Sequence, residues 1–205
     1  MRGGACQQRR HEVAGQVGGV LLGALARSGE VAIDWLFGGM SRFLPEQWRR
    51  FRGAVPEAAD GAEVAAYAAR MEHADPGVRE RAAQEWTRWE DAVVAHEAAG
   101  DPTAYSGRPT RDRLAFVRIA SRYFAHAAWL EEGVLLARAH RLASVPGVLV
   151  HGRLDLSAPL ETAWQLRRTW PGARLEVLDD AGHTGSTRMR ARVVAALDGF
   201  ADAAG

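Results

Sequence analysis

The central part of the chain, from Trp35 to about His140, carries its apolar residues at helical spacing. Within it, segment 75–97 opens with Asp75, a residue type that caps helix N-termini, and Pro76 follows at the first helical position. Apolar residues then recur at helical offsets: Val78, Ala82, Trp86, Trp89 and Val93. This pattern predicts an amphipathic helix with one apolar stripe and a charged opposite face.

A second long helix is predicted over residues 112–130, after a loop at 100–110 that its Gly and Pro residues indicate. Apolar residues lie on more than one face of this helix, so we expect it to be largely buried. Four tryptophans occupy positions typical of a helical core, and packing is their expected role: Trp86, Trp89, Trp129 and Trp164.

The pattern changes after Pro146. Residues 147–152 form a short, nearly continuous apolar run, which is typical of a parallel strand covered on both faces. A helix with three inward residues is predicted over 158–170: Leu160, Ala163 and Trp164. Pro171–Gly172 end that helix, and a second strand begins in the segment RLEVLDDAG (174–182). The final helix carries apolar residues at helical spacing: Met189, Val193, Ala196, Leu197 and Phe200.

This β-α-β-α order is the doubly wound pattern of α/β proteins. Two strands alone leave an unpaired edge and do not form a stable sheet. We therefore expect residues 141–205 to be the C-terminal part of a larger sheet whose first strands are missing. Residues 33–140 are expected to be mainly helical, and residues 1–32 are Gly-rich without a clear element.

The composition is that of a globular protein, with 205 residues, 47% hydrophobic residues and a formal net charge of +1. This length suffices for one domain with a core. Basic and acidic residues are interleaved, so the sequence indicates no nucleic-acid partner. No apolar run approaches the roughly 20 residues that cross a bilayer, so no membrane location is expected.

The N-terminal segment bears on the cellular location. The lone Cys6 excludes an internal disulfide and fits a reducing compartment. Arg9–Arg10 precede an apolar run over 17–26 whose Ala-Leu-Ala ending resembles a signal cleavage site. Glu12 and the glycines within the run argue against secretion, and we expect a cytoplasmic protein.

Two polar residues follow the two predicted strands. Asp155 lies just beyond the end of the first strand, and His183 lies just beyond the end of the second. Reactive groups gather at the carboxyl ends of strands in doubly wound sheets. One helix and one strand fit between the two residues and would return His183 beside Asp155. A carboxylate there fixes the imidazole tautomer and stabilises the imidazolium, so the sequence predicts an acid–base pair.

Each residue also has an ordinary structural interpretation. An Asp after a strand is commonly a turn or helix-capping residue, although Ser157 would cap the following helix equally well. A His after a Gly commonly lies in a surface loop. The occurrence of both residues at successive strand ends favours the chemical interpretation.

Five segments in order resemble the proline iminopeptidases, serine aminopeptidases of the α/β-hydrolase fold. They are GGMSRFLPEQWRRF (38–51), DPGVRERAAQEWTRWE (75–90), RYFAHAAWLE (122–131), VHGRLDLSAPLETAWQL (150–166) and WPGARLEVLDDAGHTGS (170–186). The resemblance covers about Ile33 to Phe200. It implies an α/β fold in which residues 33–140 form a helical cap and residues 141–205 form the C-terminal part of the hydrolase core, with residues 1–32 unmatched.

By this resemblance, Asp155 is the acid and His183 the base of a Ser–His–Asp triad. Glu90 matches one of two cap glutamates that bind the free amino group of the substrate in the family, and Ala120 stands where the second is found. The G-x-S-x-G nucleophile elbow and the H-G-G-P-G oxyanion loop do not occur in the sequence, and GGMSR at 38–42 only imitates the elbow. The resemblance is thus to the C-terminal portion of the family, and we expect the chain to be truncated and inactive as it stands.

The implied substrate is a peptide or small amide with a free N-terminus, from which an N-terminal proline is released, and no cofactor is expected. Four histidines on the helical segments lack the spacing of metal ligands, so no metal site is expected either: His73, His96, His126 and His140. Two alternatives remain open. Ala120 favours another α/β-hydrolase activity, an esterase or amidase, and the missing elbow favours a non-catalytic fragment or pseudoenzyme.

Overall fold

The computed structural model describes residues 30–95 and 101–204. Three of the sequence predictions concern residues outside these ranges: Cys6, the apolar run at 17–26 and His96. Within the two described ranges, no helix is both long and apolar enough to span a membrane.

The described residues up to about 142 are mainly helical. Its α-helices are α1 (Glu30–Phe37), α2 (Pro45–Gly53), α3 (Glu63–Met71), α4 (Pro76–Val94), α5 (Thr110–Ala125) and α6 (Val134–Arg138). Short 3-10 turns occur at Gly39–Arg42, Ala127–Trp129 and Ala139–Leu142. The predicted helical character of this region is therefore confirmed.

Helix α4 begins as its sequence predicts. The Asp75 carboxylate accepts a hydrogen bond from the backbone N–H of Gly77 at 2.8 Å, and Pro76 occupies the first turn. This bond satisfies one of the N–H groups that lack a helical partner at a helix start. Four residues of the predicted apolar stripe are buried: Ala82, Trp86, Trp89 and Val93.

Aromatic rings form the centre of the helical core. The rings of Phe51 from α2 and Tyr67 from α3 stack with centroids 4.4 Å apart, and Trp86 from α4 meets Tyr67 edge-on at 5.4 Å. The Tyr67 hydroxyl donates a hydrogen bond to the Phe51 carbonyl oxygen at 2.8 Å, so its polar atom has a partner inside the core. These contacts join three helices and fix the orientation of α4.

Helix α5 differs from its prediction. It ends at Ala125, and its fully buried residues are Val117 and Ser121, whereas Ile119 is 71% exposed. The expectation of a largely buried helix is wrong, because α5 packs against α3 and α4 with one face and leaves Ile119 at the surface. Apolar residues on two faces of a helix do not require both faces to be covered.

The chain leaves α5 through a left-handed turn. Ala127, Ala128 and Trp129 have φ values of 47°, 57° and 53°, a conformation that side chains with a Cβ atom adopt at a cost. The turn leaves the Trp129 ring exposed and stacked on His126, with centroids 5.0 Å apart. The predicted core role of Trp129 is therefore wrong, and that of Trp164 is also wrong, since its ring is half exposed. Trp86 and Trp89 are buried as expected.

The final part of the chain is a β-α-β-α unit, as its pattern predicts. It comprises β1 (Gly147–Gly152), α7 (Leu160–Thr169), β2 (Ala173–Leu178) and α8 (Thr187–Ala204). The two strands pair in parallel, and within the described residues they form the whole sheet. The architecture seen is thus helix-dominated with a small parallel sheet.

The two helices of this unit cover opposite faces of β1. Leu149 packs with Leu166 and Trp170 on the α7 side, whereas Val148 packs with Met189 on the α8 side. Successive strand residues point to opposite faces, so all six residues of β1 are buried, which confirms a strand covered on both faces.

The inward residues predicted for α7 and α8 are covered to different degrees. Ala163, Met189 and Ala196 are buried, Leu160, Val193 and Phe200 are half-buried, and Trp164 and Leu197 are exposed.

Candidate active site

The loops that follow β1 and β2 are held together at the carboxyl edge of the sheet. The backbone N–H of Arg153 donates to the Leu178 carbonyl oxygen at 2.8 Å, and that of Leu154 donates to the Ala181 carbonyl oxygen at 3.0 Å. Gly152 permits this close approach, since a Cβ atom there would lie 2.3 Å from the Ala181 oxygen. The first loop carries Asp155 and the second carries His183, so the two residues meet at this edge.

The side chains of Asp155 and His183 are in contact. His183 Nδ1 lies 3.2 Å from Asp155 Oδ2, as the spacing of the two residues predicts. Asp155 is 9% exposed, whereas the His183 side chain is 36% exposed. A buried carboxylate thus orients an imidazole that reaches the surface.

The second oxygen of Asp155 is also bonded. Asp155 Oδ1 accepts hydrogen bonds from the Ser157 hydroxyl at 2.9 Å and from the Ala158 backbone N–H at 2.8 Å. Helix α7 has Pro159 as its N-cap and no side-chain capping bond, so the idea that Ser157 caps this helix is wrong. Ser157 instead supports the carboxylate.

These contacts determine the charge of Asp155. Burial opposes ionisation, but the hydrogen bond and charge of His183, with the Ala158 N–H and the Ser157 hydroxyl, outweigh it and lower the pKa of the Asp155 carboxyl. An ionised carboxylate only accepts hydrogen bonds, so the proton of the neutral His183 ring lies on Nδ1. The basic lone pair is then on Nε2, the arrangement that a general base requires.

Glu90 lies on α4 and is only 7% exposed. Its Oε1 accepts a hydrogen bond from Trp86 Nε1 at 3.1 Å. Burial raises the pKa of Glu90 to about 7, and the positive charge of His183 is the largest influence in the opposite direction. The structure therefore brings Glu90 within electrostatic range of His183, although 93 positions separate them in the sequence.

Ala120 and two serines, Ser186 and Ser41, have structural surroundings of their own. Ala120 is half-buried on α5 and packs against the helical core. Ser186 accepts a hydrogen bond from the Met189 backbone N–H at 3.1 Å, at the start of α8. Ser41 lies in the 3-10 turn Gly39–Arg42, at the entry to the helical region.

Sequence reasoning missed two residues that support the Asp155 loop. His151, on β1, contacts the Ala158 carbonyl oxygen through Nε2 at 2.9 Å. Trp35, on α1, donates from Nε1 to the Leu156 carbonyl oxygen at 2.7 Å. A polar residue in an otherwise apolar strand was a usable signal for His151, whereas the partner of Trp35 is 121 positions away and has no local signal.

A cavity of about 540 Å³ lies elsewhere, beside α5 and the left-handed turn. Its wall includes Glu72, Arg118, Ile119 and Trp129, and the residues that line it do not include the Asp155–His183 pair. Among the described residues, no three His, Cys, Asp or Glu side chains lie close enough together to hold a metal ion. The candidate site is thus the strand-end pair with Glu90.

Known proteins resemble the chain over most of its length. No protein-family model matches it. It is 37% identical over 154 residues to a proline iminopeptidase of Xylella fastidiosa, which covers 74% of the chain and 49% of that relative. A proline iminopeptidase of Xanthomonas citri is 34% identical over 182 residues, 82% of the chain and 55% of the relative.

A probable proline iminopeptidase of Streptomyces coelicolor is 34% identical over 192 residues, 91% of the chain and 58% of the relative. The chain spans about half the length of the curated relatives it matches. By sequence, the chain is therefore a relative of the proline iminopeptidases.

Proposed function

We propose that the chain provides the acid–base pair and the helical cap of a serine hydrolase that releases N-terminal proline from peptides or small amides. Asp155 is the triad acid, and His183 is the general base. The observation that carries this proposal is the 3.2 Å contact between His183 Nδ1 and the buried Asp155 carboxylate. The names of the relatives, proline iminopeptidases, support the choice of reaction.

In this proposal His183 Nε2 takes the proton of a serine hydroxyl as that oxygen attacks the substrate carbonyl. Asp155 stabilises the imidazolium that forms, and His183 then gives the proton to the leaving amine. The 205 residues contain no G-x-S-x-G elbow, so we place the serine and the oxyanion donors outside this sequence. The chain alone is then inactive, and residues 141–205 are the C-terminal part of an α/β-hydrolase core with residues 33–140 as its cap.

Glu90 is assigned as the anchor of the substrate's amino group. Its carboxylate is buried, and burial raises its pKa to about 7. An ammonium group brought beside it favours the ionised form and forms a charge-assisted hydrogen bond. The charge of His183 also acts on Glu90, so the proposal assigns the amine anchor and the acid–base pair to one site.

The test uses proline p-nitroanilide with three proteins. They are the 205-residue chain, its fusion to the N-terminal half of the Xanthomonas citri relative, and the same fusion carrying His183→Ala. We expect no turnover by the chain alone, turnover by the fusion, and a loss of roughly a thousandfold or more with His183→Ala. His126→Ala is the matched control, since His126 is exposed and bonds through Nδ1 to the Arg122 carbonyl oxygen.

Two results would contradict the proposal. A folded fusion that keeps its activity with His183→Ala removes His183 from the mechanism. Turnover by the chain alone that His183→Ala abolishes would place the nucleophile within these residues, with Ser41 and Ser186 as the first to replace by Ala.

A second activity is favoured by one observation. Ala120, which stands where the family resemblance implies a second glutamate, offers no charge to a substrate ammonium group. An esterase or amidase that does not select a free amine fits that position, and a comparison of ester and amide substrates on the fusion distinguishes the two activities.

A further inference from the structure

His151 is a buried polar residue in a strand that is otherwise apolar. It is 5% exposed, and its Nε2 lies 2.9 Å from the Ala158 carbonyl oxygen. A carbonyl oxygen only accepts hydrogen bonds, so Nε2 carries the proton and donates it. The same Nε2 lies 4.0 Å from Asp155 Oδ2, beyond hydrogen-bond distance but close enough for electrostatic attraction.

Residue Ala158 is thereby held from both sides. Its carbonyl oxygen accepts from His151, and its N–H donates to Asp155 Oδ1 at 2.8 Å. With Oδ1 fixed in this way, Oδ2 is the oxygen that faces His183 Nδ1. A movement of Ala158 would rotate the carboxylate and lengthen the contact with His183.

We propose that His151 is a positioning residue, which acts through Ala158 to hold Asp155 Oδ2 towards His183 and so maintains the Nδ1–H tautomer of His183. The inference rests on the proposed role of the Asp155–His183 pair, but its test needs no turnover. An apolar residue would fill the same space on β1, so the purpose of a histidine here is its hydrogen bond.

The experiment records long-range ¹H–¹⁵N spectra of the full 205-residue chain at about pH 8.5, roughly two units above the ordinary imidazole pKa, where neutral rings reveal their tautomer. In the unmodified chain we expect the Nε2–H form for His151 and the Nδ1–H form for His183. The variants His151→Leu and His183→Ala assign the two signals. A His151 ring found mainly as the Nδ1–H form overturns the proposal without any further variant.

Three substitutions then separate positioning from packing. His151→Leu fills the space without a donor, and we expect the ratio of Nδ1–H to Nε2–H forms of His183 to fall by about tenfold, as the loss of a well-aligned bond to a charged acceptor implies. His151→Gln places an amide N–H near the position of Nε2 and restores the ratio. His140→Leu, at an exposed histidine bonded to the Ala137 carbonyl oxygen, leaves it unchanged.

A folded His151→Leu chain in which His183 keeps its tautomer ratio overturns the proposal. If His151→Leu does not fold, His151→Asn decides, because its shorter amide does not reach the Ala158 oxygen. If His151→Asn keeps the tautomer ratio of His183, the positioning role is overturned. If the ratio falls in His151→Asn but not in His151→Gln, the positioning role is supported. None of these results depends on hydrolysis, so they are distinct from a failure of the proposed function.

Discussion

Trp35 and Leu156 join the helical region to the loop that carries Asp155. The Trp35 indole N–H donates to the Leu156 carbonyl oxygen at 2.7 Å across 121 positions of sequence. The Leu156 side chain also packs against the helical core. The position of Asp155 therefore depends on α1 as well as on β1.

Replacement of Trp35 tests this dependence. Trp35→Phe removes the indole N–H, so the partly buried Leu156 carbonyl oxygen loses its hydrogen bond. We expect this loss to lower the free energy of unfolding by about 1–2 kcal/mol. Trp48→Phe is the matched control, since Trp48 is also half-buried and its ring packs in the same core. Urea unfolding of both variants measures the difference. Equal losses would mean that the bond to Leu156 contributes nothing beyond ring packing.

Glu90 should make stability fall as pH rises. Its folded pKa of about 7 lies above the ordinary value of 4.5, mainly because the carboxyl is buried. Between these values the folded chain holds a proton that the unfolded chain has released, so the unfolding free energy decreases from about pH 4.5 to about pH 7. Glu90→Gln should remove this slope in urea unfolding measured across that range.

Glu57 provides the control for that slope. The hydrogen bond from Arg70 lowers the pKa of Glu57. The stabilisation that ionised Glu57 adds to the free energy of unfolding is therefore present above the ordinary carboxyl range and is lost only at lower pH. Glu57→Gln should leave the slope between about pH 5 and pH 7 unchanged. If the pH slope of the unfolding free energy persists in Glu90→Gln, another titrating group causes it.

Ala120 should limit the binding of free amines. A second carboxylate in the proposed amine site gives a desolvated ammonium group a second charged partner, worth roughly 1.5–3 kcal/mol. In the fusion described above, Ala120→Glu is expected to raise kcat/KM for a proline amide by about tenfold or more. An uncharged ester substrate should respond little. Equal effects on both substrates would favour the esterase interpretation.

Glycine at position 127 in the left-handed turn should stabilise the chain. Ala127 has a φ of 47°, which costs an L-residue roughly 1–2 kcal/mol and costs glycine almost nothing. After the greater backbone entropy of unfolded glycine is subtracted, Ala127→Gly should stabilise the chain by about 0.5–1 kcal/mol. Ala120→Gly, at an equally half-buried residue inside α5, should destabilise it by about 1 kcal/mol. Thermal unfolding measures both, and a loss in both variants would show that Ala127 is unstrained.

Local sequence determined the elements and the pairing of Asp155 with His183. Helical offsets, the Asp75–Pro76 start and the short apolar run of β1 are local signals, and each one predicted its element. The carboxyl ends of adjacent parallel strands share one edge, so two residues at those ends meet whatever the details of packing. That topological rule is why the 3.2 Å contact was predictable.

Tertiary structure alone decided which apolar residues are covered and what supports the carboxylate. Ile119, Trp129 and Trp164 have the same hydrophobicity as core residues, but burial depends on whether another element packs over them. The bond from Trp35 to the Asp155 loop and the electrostatic link from Glu90 to His183 join residues far apart in the chain. Such contacts leave no periodicity in the sequence, because they form only when separate elements pack together.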